Sequence, residues 1–339
     1  MYLSYLDQQQ GQASPRAGLV ARTLQTLLVL QVLAVVGMSC LLHQVLPWSA
    51  TGLGGAASPG WFSWFGSIGL ALLALMVVRL LITAHNFSVA ARWASVSPRP
   101  LDWWQRCRWF FGEFYATLYS SSWGMHHCAF AKREHDASST LPVLLIHGYV
   151  CNSGYWQRLS QVLSRASVNH YAIDLEPVFG SIDDYVPLIH RAVEAICAET
   201  GQQQVIIVAH SMGGLAARAY LRAQGSVRIA QVITLGTPHY GTALASRGPG
   251  RNSRQMEWNG ESRYGESNAW LAQLAASESA ETRALITSIY SYQDNIVAPQ
   301  LSSHLEGANN IALTGMGHVA LALNPTVQQH VLEQIRRVS

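Results

Sequence analysis

A serine, an aspartate and a histidine that follow one another along the chain could together carry out nucleophilic catalysis. Ser211 stands in the stretch Ala209-His-Ser-Met-Gly213, between an apolar run and a segment with helical spacing. A serine hydroxyl is a weak nucleophile that needs an adjacent base, and the base needs a third group to orient it. We expect His318 to be the base and Asp294 to be the acid, because no other aspartate follows Ser211.

Other histidines also follow the serine, among them His304 and His330. His330 falls within the predicted final helix and His304 within a connection, whereas His318 directly follows the last predicted strand. His318 is the stronger candidate, because the sites of parallel α/β proteins gather at the carboxyl ends of the strands. The alternative interpretation of the Ser211 segment is an ordinary tight turn between a strand and a helix.

Acyl transfer also needs two backbone N–H groups that bind the developing oxyanion. Met212 follows the candidate nucleophile at the start of a helix, and we expect it to supply one of them. The loop after the first strand of the domain should supply the other, with the N–H of Tyr149 as the donor. We interpret His147 and His210, which stand beside these groups, as structural residues.

The segments around these residues alternate between strand and helix patterns. Short apolar runs predict strands at residues 142–147, 169–175, 205–209, 229–235, 284–292 and 310–313. Helical spacing predicts helices at residues 154–167, 182–199, 213–224 and 325–337. This alternation predicts an α/β domain over residues 136–339, with a mostly parallel sheet and helices on both faces. Residues 240–277 interrupt it with glycines and polar residues, and we interpret them as a candidate lid over the site.

Two long apolar runs precede this domain, at residues 19–46 and 61–84. Each reaches the roughly 20 residues that a helix needs to cross a bilayer. With the short Gly-, Pro- and Ser-rich connection between them, they predict a transmembrane hairpin within residues 1–90. The alternative is a signal peptide followed by a buried core helix. The connection holds no Lys or Arg, so the positive-inside rule predicts a multi-pass protein whose termini and catalytic domain face the cytoplasm.

Residues 91–135 form an aromatic and arginine-rich juxtamembrane segment. Placed on a helix, one face carries Trp103, Cys107, Phe110, Phe111, Phe114 and Leu118. Glu113 and its polar neighbours fall elsewhere on that helix. Aromatic residues and arginines suit the headgroup region of a bilayer. The same face could instead cover the core of the catalytic domain, and both interpretations could hold together.

Composition argues against several other classes of function. The net charge is only +3, and the chain has no Lys/Arg block, so we expect no nucleic-acid partner. The five cysteines are scattered without a Cys-x-x-Cys pair or a Cys/His cluster, which argues against a zinc site and a disulfide framework. No cofactor motif is present, so we expect neither a cofactor nor a metal.

The catalytic motifs resemble those of one family. They are Ile146-His-Gly148, Val208-Ala-His-Ser-Met-Gly-Gly214, Thr287-Ser-Ile-Tyr-Ser291 with Asp294-Asn-Ile-Val297, and Leu305-Glu-Gly-Ala-Asn309 with Gly315-Met-Gly-His318. The domain resembles bacterial lipases of the α/β-hydrolase fold, closest in motifs to the small Bacillus-type lipases. The segment at residues 234–242 is more similar to the larger Pseudomonas-type lipases, which bind calcium through acidic residues near the histidine. This chain has no aspartate near His318, so we expect no calcium site.

The resemblance implies hydrolysis of acyl esters through an acyl-enzyme, with Ser211, Asp294 and His318 as the triad. Together with the apolar runs, it predicts a lipase or carboxylesterase anchored in a bacterial inner membrane and acting on acyl-ester or lipid substrates. The alternatives are an acyltransferase or amidase that uses the same triad, and a catalytically silent membrane scaffold.

Overall fold

The structure is a computed structural model that describes residues 19–46, 60–135, 138–258, 260 and 268–339. The chain divides into two compact units, one formed by Thr23–His85 and the other by the remaining residues. The predicted connection at 47–60, except for its last residue, lies outside the described residues. So do Arg16, which precedes the first apolar run, and positions 259 and 261–267 of the candidate lid.

The two apolar runs form long helices, α1 (Leu19–Val45) and α2 (Gly60–Ala91). Their spans Gln25–Val45 and Ser63–Ala91 are long and apolar enough to cross a membrane, by length and composition. In the most apolar windows of the two spans, 6% and 11% of the residues are buried. Within the unit, Arg79 donates a hydrogen bond of 2.7 Å to the Gln31 side chain.

The aromatic segment folds as helix α3 (Trp103–Tyr119), followed by a π-helical turn (Ser120–Gly124) and the short α4 (Met125–His127). Asp102 caps α3 by accepting a hydrogen bond of 2.8 Å from the N–H of Gln105, whose side chain accepts one of 3.0 Å in return. This reciprocal pair is a capping box, and it fixes where the helix begins.

The buried residues of α3 coincide only in part with the predicted apolar face, on which Cys107, Phe110, Phe114 and Leu118 are half-buried. Glu113 and Ala116 are the buried residues of the helix, whereas Trp103 and Trp104 are 65% and 73% exposed and Phe111 is exposed too. The sequence pattern placed Glu113 off the aromatic face, yet its side chain packs against the domain. Its burial is favourable because backbone N–H groups of the domain donate hydrogen bonds to its carboxylate.

The remainder of the chain is built on a seven-stranded sheet in the described residues. Its strands are β1 (Lys132–Arg133), β2 (Val143–Ile146), β3 (His170–Ile173), β4 (Val205–His210), β5 (Ile229–Leu235), β6 (Ile286–Ser291) and β7 (Asn309–Leu313). The order across the sheet is β1-β3-β2-β4-β5-β6-β7, and every pair is parallel except β1 with β3. The predicted mostly parallel sheet is confirmed.

Helices follow the strands and cover the sheet. They are α5 (Gln157–Arg165), α6 (Val186–Thr200), α7 (Met212–Gln224), α8 (Arg251–Gln255), α9 (Ala269–Ala276), α10 (Ala280–Ala284) and α11 (Pro325–Val338), and 3-10 turns at Ser153–Trp156 and Ile182–Tyr185 precede α5 and α6. Strands β2 and β4 are buried at every position. Strands buried on both faces are what helices on both sides of a parallel sheet produce.

The described part of the 240–277 insertion packs against the domain. The side-chain amide of Asn252 donates a hydrogen bond of 2.7 Å to the carbonyl of Val178. The hydroxyl of Tyr149 donates one of 2.6 Å to the carbonyl of Pro249. These contacts place the described part of the insertion beside the loops that follow β2 and β3, and its interpretation as a lid stays a prediction.

Candidate active site

Ser211 occupies a sharp turn between β4 and α7. Its backbone adopts φ 54° and ψ −126°, in a region that a residue with a side chain rarely visits. At Gly213, the start of α7 lies against the end of the neighbouring strand β2, where an added Cβ would lie 2.5 Å from the carbonyl oxygens of Ile146 and His147. Strain of this kind is typical of functional sites, where it holds a side chain in a fixed position. The serine is 8% exposed.

The imidazole of His318 is paired with the carboxylate of Asp294. The distance from His318 Nδ1 to Asp294 Oδ2 is 2.7 Å, and both side chains are buried. The other carboxylate oxygen, Oδ1, accepts hydrogen bonds from the N–H groups of Ile296 (2.8 Å) and Val297 (2.7 Å). The carboxylate is therefore fixed on both sides, and it in turn fixes the orientation of the ring.

The backbone of His318 is also held by neighbouring side chains. Its N–H donates to the side-chain oxygen of Asn295 at 2.9 Å. Its carbonyl lies 3.1 Å from Nε2 of His210, and the two imidazole rings are 4.6 Å apart between centroids. His210 precedes Ser211 directly, so this contact brings the histidine turn to the nucleophile turn.

Electrostatics at this pair favour the protonated imidazole. Burial lowers the pKa of His318, but the Asp294 carboxylate and the more remote Glu113 raise it, and the resulting pKa lies above its usual value. Burial moves the pKa of the neighbouring His210 well below the usual value, with the charge of His318 acting in the same direction. Of these two rings, His318 is therefore the one suited to accept a proton.

The expected oxyanion donors both lie near Ser211. Met212 follows it in the chain, and Tyr149 belongs to the loop that approaches it after β2. Met212 is buried at the first position of α7. Tyr149 follows Gly148, where an added Cβ would lie 2.9 Å from Cβ of Ser211. Only a glycine permits this approach of the β2 loop to the nucleophile. The roles of the two N–H groups stay predictions.

The other histidines have different surroundings. Nε2 of His147 accepts a hydrogen bond of 3.0 Å from the N–H of Leu175, which ties together the loops that follow β2 and β3. His330 lies 3.5 Å from Glu333 on the final helix. Nδ1 of His304 lies 3.4 Å from the hydroxyl of Tyr290. In the part of the chain that the structure describes, no group of three or more His, Cys, Asp or Glu residues is placed to hold a metal.

The interpretation of the sequence missed one residue of the site, Glu113 on α3. Its carboxylate accepts hydrogen bonds from the N–H groups of Val319 (3.0 Å) and Ala320 (2.9 Å), the two residues after His318. Periodicity gave no signal for this contact, because a charged residue on a helix is expected to face solvent.

The sequence profile of the Alpha/beta hydrolase family matches residues 143–327. A triacylglycerol lipase of Pseudarthrobacter phenanthrenivorans is 30% identical over 120 residues, which cover 32% of this chain and 36% of the relative. A triacylglycerol lipase of Burkholderia plantarii is also 30% identical over 120 residues, 32% of each chain. The matched region thus spans about a third of the length of these curated relatives.

Two solved lipase structures match parts of this chain. Aspergillus fumigatus lipase B has a TM-score of 0.51 at 17% identity, with 62% of this chain and 56% of that chain covered. The mature form of Bacillus licheniformis lipase BlEst2 has a TM-score of 0.48 at 18% identity, with coverage of 60% and 96%. At this level of identity, the likeness concerns the fold alone.

Proposed function

Because this chain belongs to the alpha/beta hydrolase family, we propose that it is a serine hydrolase that cleaves carboxylic esters of acyl lipids, as a lipase or carboxylesterase. Ser211 is the nucleophile, His318 the general base and Asp294 the acid that orients it. The observation that carries this proposal is the buried 2.7 Å contact between His318 Nδ1 and Asp294 Oδ2, beside a serine in a strained turn.

In this mechanism, Nε2 of His318 takes the proton of Ser211 Oγ as the oxygen attacks the ester carbonyl. The proton then passes to the leaving alcohol, and the acyl group stays on the serine. Water, activated by the same imidazole, releases the fatty acid and restores the hydroxyl. Asp294 keeps the Nδ1 proton in place, so that Nε2 is free to accept, and it stabilises the imidazolium that forms.

In this proposal, the N–H groups of Met212 and Tyr149 bind the negative charge that develops on the carbonyl oxygen. Met212 stands at the first turn of α7, where the helix dipole also favours negative charge. The close approach of Gly148 to Ser211 supports the assignment of Tyr149. Removing one donor of this kind typically costs about a hundredfold to a thousandfold in kcat.

We further propose that α1 and α2 anchor the enzyme in a bilayer. Their length and composition support this, as do the tryptophans that α3 exposes at Trp103 and Trp104. Amphipathic aromatic rings are enriched where membrane meets water. Anchoring raises the effective concentration of lipid substrates at the site. The arginine distribution supports a cytoplasmic catalytic domain.

The test compares hydrolysis of p-nitrophenyl esters of graded chain length by the full-length protein and by Ser211→Ala, in detergent and in liposomes. Turnover that the substitution abolishes, together with labelling of Ser211 by a fluorophosphonate, is the expected result. Faster release in the presence of added alcohols would point to acyl transfer, and cleavage of anilides in preference to esters would point to an amidase. Absence of both turnover and labelling would refute the proposal and favour a catalytically silent scaffold.

A further inference from the structure

The carboxylate of Glu113 lies in the interior of the protein, against the turn that carries His318. Glu113 is 1% exposed. Its Oε1 accepts from the N–H of Val319 at 3.0 Å and its Oε2 from the N–H of Ala320 at 2.9 Å. It comes from α3, outside the region that matches the hydrolase family. An element added in front of the family domain therefore contributes directly to the surroundings of the histidine.

The fit between this carboxylate and the turn is close. At Gly317, an added Cβ would overlap the carboxylate of Glu113, so a side chain at this position would displace that carboxylate. On the other side of the turn, the hydroxyl of Tyr155 donates a hydrogen bond of 3.1 Å to the carbonyl of Val319. Without Glu113, the N–H groups of Val319 and Ala320 would lose the acceptor that its carboxylate provides.

We propose that Glu113 is a positioning residue for the catalytic base: by holding the N–H groups of Val319 and Ala320, it fixes the backbone that aims His318. This inference rests on the proposed function. Asn295 and His210 hold the N–H and the carbonyl of His318 itself, so Glu113 completes the set of contacts on this turn. A shift of about 1 Å in a catalytic group can cost about a hundredfold in rate.

Glu113 also acts through its charge. Burial raises the pKa of Glu113, the hydrogen bonds from Val319 and Ala320 lower it, and the resulting pKa lies above the usual value. In its ionised form it favours the imidazolium of His318, in the same direction as Asp294. The other titratable groups facing this cluster are His210, whose ring stands beside His318, and Tyr155, whose pKa burial raises.

The informative variant is Glu113→Gln, which keeps the size of the side chain. A glutamine offers one acceptor oxygen, and its NH2 group must meet the second N–H, donor against donor. We expect kcat/KM for a soluble p-nitrophenyl ester, and the rate of Ser211 labelling by a fluorophosphonate, to fall about tenfold to a hundredfold. Loss of the charge lowers the pKa of His318, so the acid limb of the pH profile should move to lower pH. Glu113→Asp retains a carboxylate and should restore the position of that limb.

The matched control is Glu278→Gln, because Glu278 is also a buried carboxylate but is paired with Arg218 at 2.6 Å and with Arg283 at 3.2 Å. It should lower the thermal unfolding temperature without moving the acid limb. A Glu113→Gln protein with unchanged kcat/KM would overturn the proposal. The proposal would also be overturned if the activity of Glu113→Gln fell only in proportion to its folded fraction and the acid limb of its pH profile did not move.

A measurement that needs no turnover tests the positioning role of Glu113 independently of the proposed enzymatic activity. The proton between His318 Nδ1 and Asp294 should give a far-downfield proton NMR resonance, which His318→Ala abolishes. If Glu113→Gln shifts or broadens this resonance, the positioning role is supported even in a protein that hydrolyses none of the tested esters. If the resonance of Glu113→Gln stays at the wild-type position, the role is refuted, whatever the activity of the wild-type protein.

Discussion

Asp294→Asn should disable the enzyme while leaving its fold intact. In the native site, Oδ1 of Asp294 accepts hydrogen bonds from the N–H groups of Ile296 and Val297, and Oδ2 faces Nδ1 of His318. An asparagine must place its oxygen toward the two N–H donors, because an NH2 group there would oppose both of them. Its NH2 group then faces Nδ1 of His318. The imidazole must then accept a hydrogen bond at Nδ1, so its own proton moves to Nε2. With Nε2 protonated, the ring can no longer take the proton of Ser211.

The size of the effect follows from this change of tautomer. The same substitution in the serine protease triad, where geometry is retained and the tautomer is wrong, lowers kcat by about 10⁴. A loss of this size corresponds to about 5.5 kcal/mol of transition-state stabilisation. The substitution removes one charge but keeps the size of the side chain and its two hydrogen bonds with the backbone. We therefore expect the thermal unfolding temperature to change far less than the activity does.

The assay is kcat/KM for a p-nitrophenyl ester, measured beside thermal unfolding of the same preparations. Asp174→Asn is the matched control, because Asp174 accepts a hydrogen bond of 2.6 Å from the N–H of Ser153 and lies 3.7 Å from another buried histidine, His147. We expect the control to lose less than tenfold. A loss below tenfold for Asp294→Asn, or a loss equal to that of the control, would refute the tautomer argument.

Three further predictions concern the pocket, the base and the membrane. Gly236 has φ 56°, and an added Cβ would lie 3.1 Å from Asp294 Oδ2. Gly236→Ala should therefore lower kcat about tenfold or more while the KM changes little, and steady-state kinetics would measure both. The pKa of His318 lies above its usual value and the base must be neutral, so kcat/KM should decline as the pH falls through that raised pKa; a profile flat down to pH 5 would contradict this. Replacing Trp103 and Trp104 by serine should reduce hydrolysis of lipid in vesicles severalfold but leave a soluble short-chain ester unaffected; equal losses on both substrates would argue against interface binding.

Much of the fold could be predicted because the pattern of each element is local. The strand predicted at 229–235 has the observed bounds of β5, and the helix predicted at 325–337 ends one residue early. β1 could not be predicted, since Lys132 and Arg133 carry no apolar signal and are a strand only through antiparallel pairing with β3. The helix predicted at 182–199 begins as a 3-10 turn, and Ser181 and Asp184 form a capping box at its start.

The candidate site could be predicted as far as its residues follow the strands in chain order. Ser211, Asp294 and His318 come directly after β4, β6 and β7, so the topology of a parallel sheet brings them to one edge. Glu113 follows no such rule. It reaches the site from a helix about two hundred residues earlier in the chain, and only the docking of that helix supplies the N–H groups that make its burial favourable.

At three positions, helix α3 departs from the pattern of a soluble amphipathic helix, which buries its aromatic residues and exposes its charged ones. It buries a carboxylate and exposes the rings of Trp103 and Trp104. Exposed to water, large aromatic side chains forgo about 1.5–3 kcal/mol each of burial free energy. The arrangement is favourable if the outer face meets the headgroup region of a bilayer, which the proposed anchor places next to it in the chain. The helix that contacts the bilayer would then be the helix that holds the backbone after His318. Because Glu113 is hydrogen-bonded to that backbone, a displacement of α3 at the membrane surface would then reach the proposed base without crossing the rest of the domain.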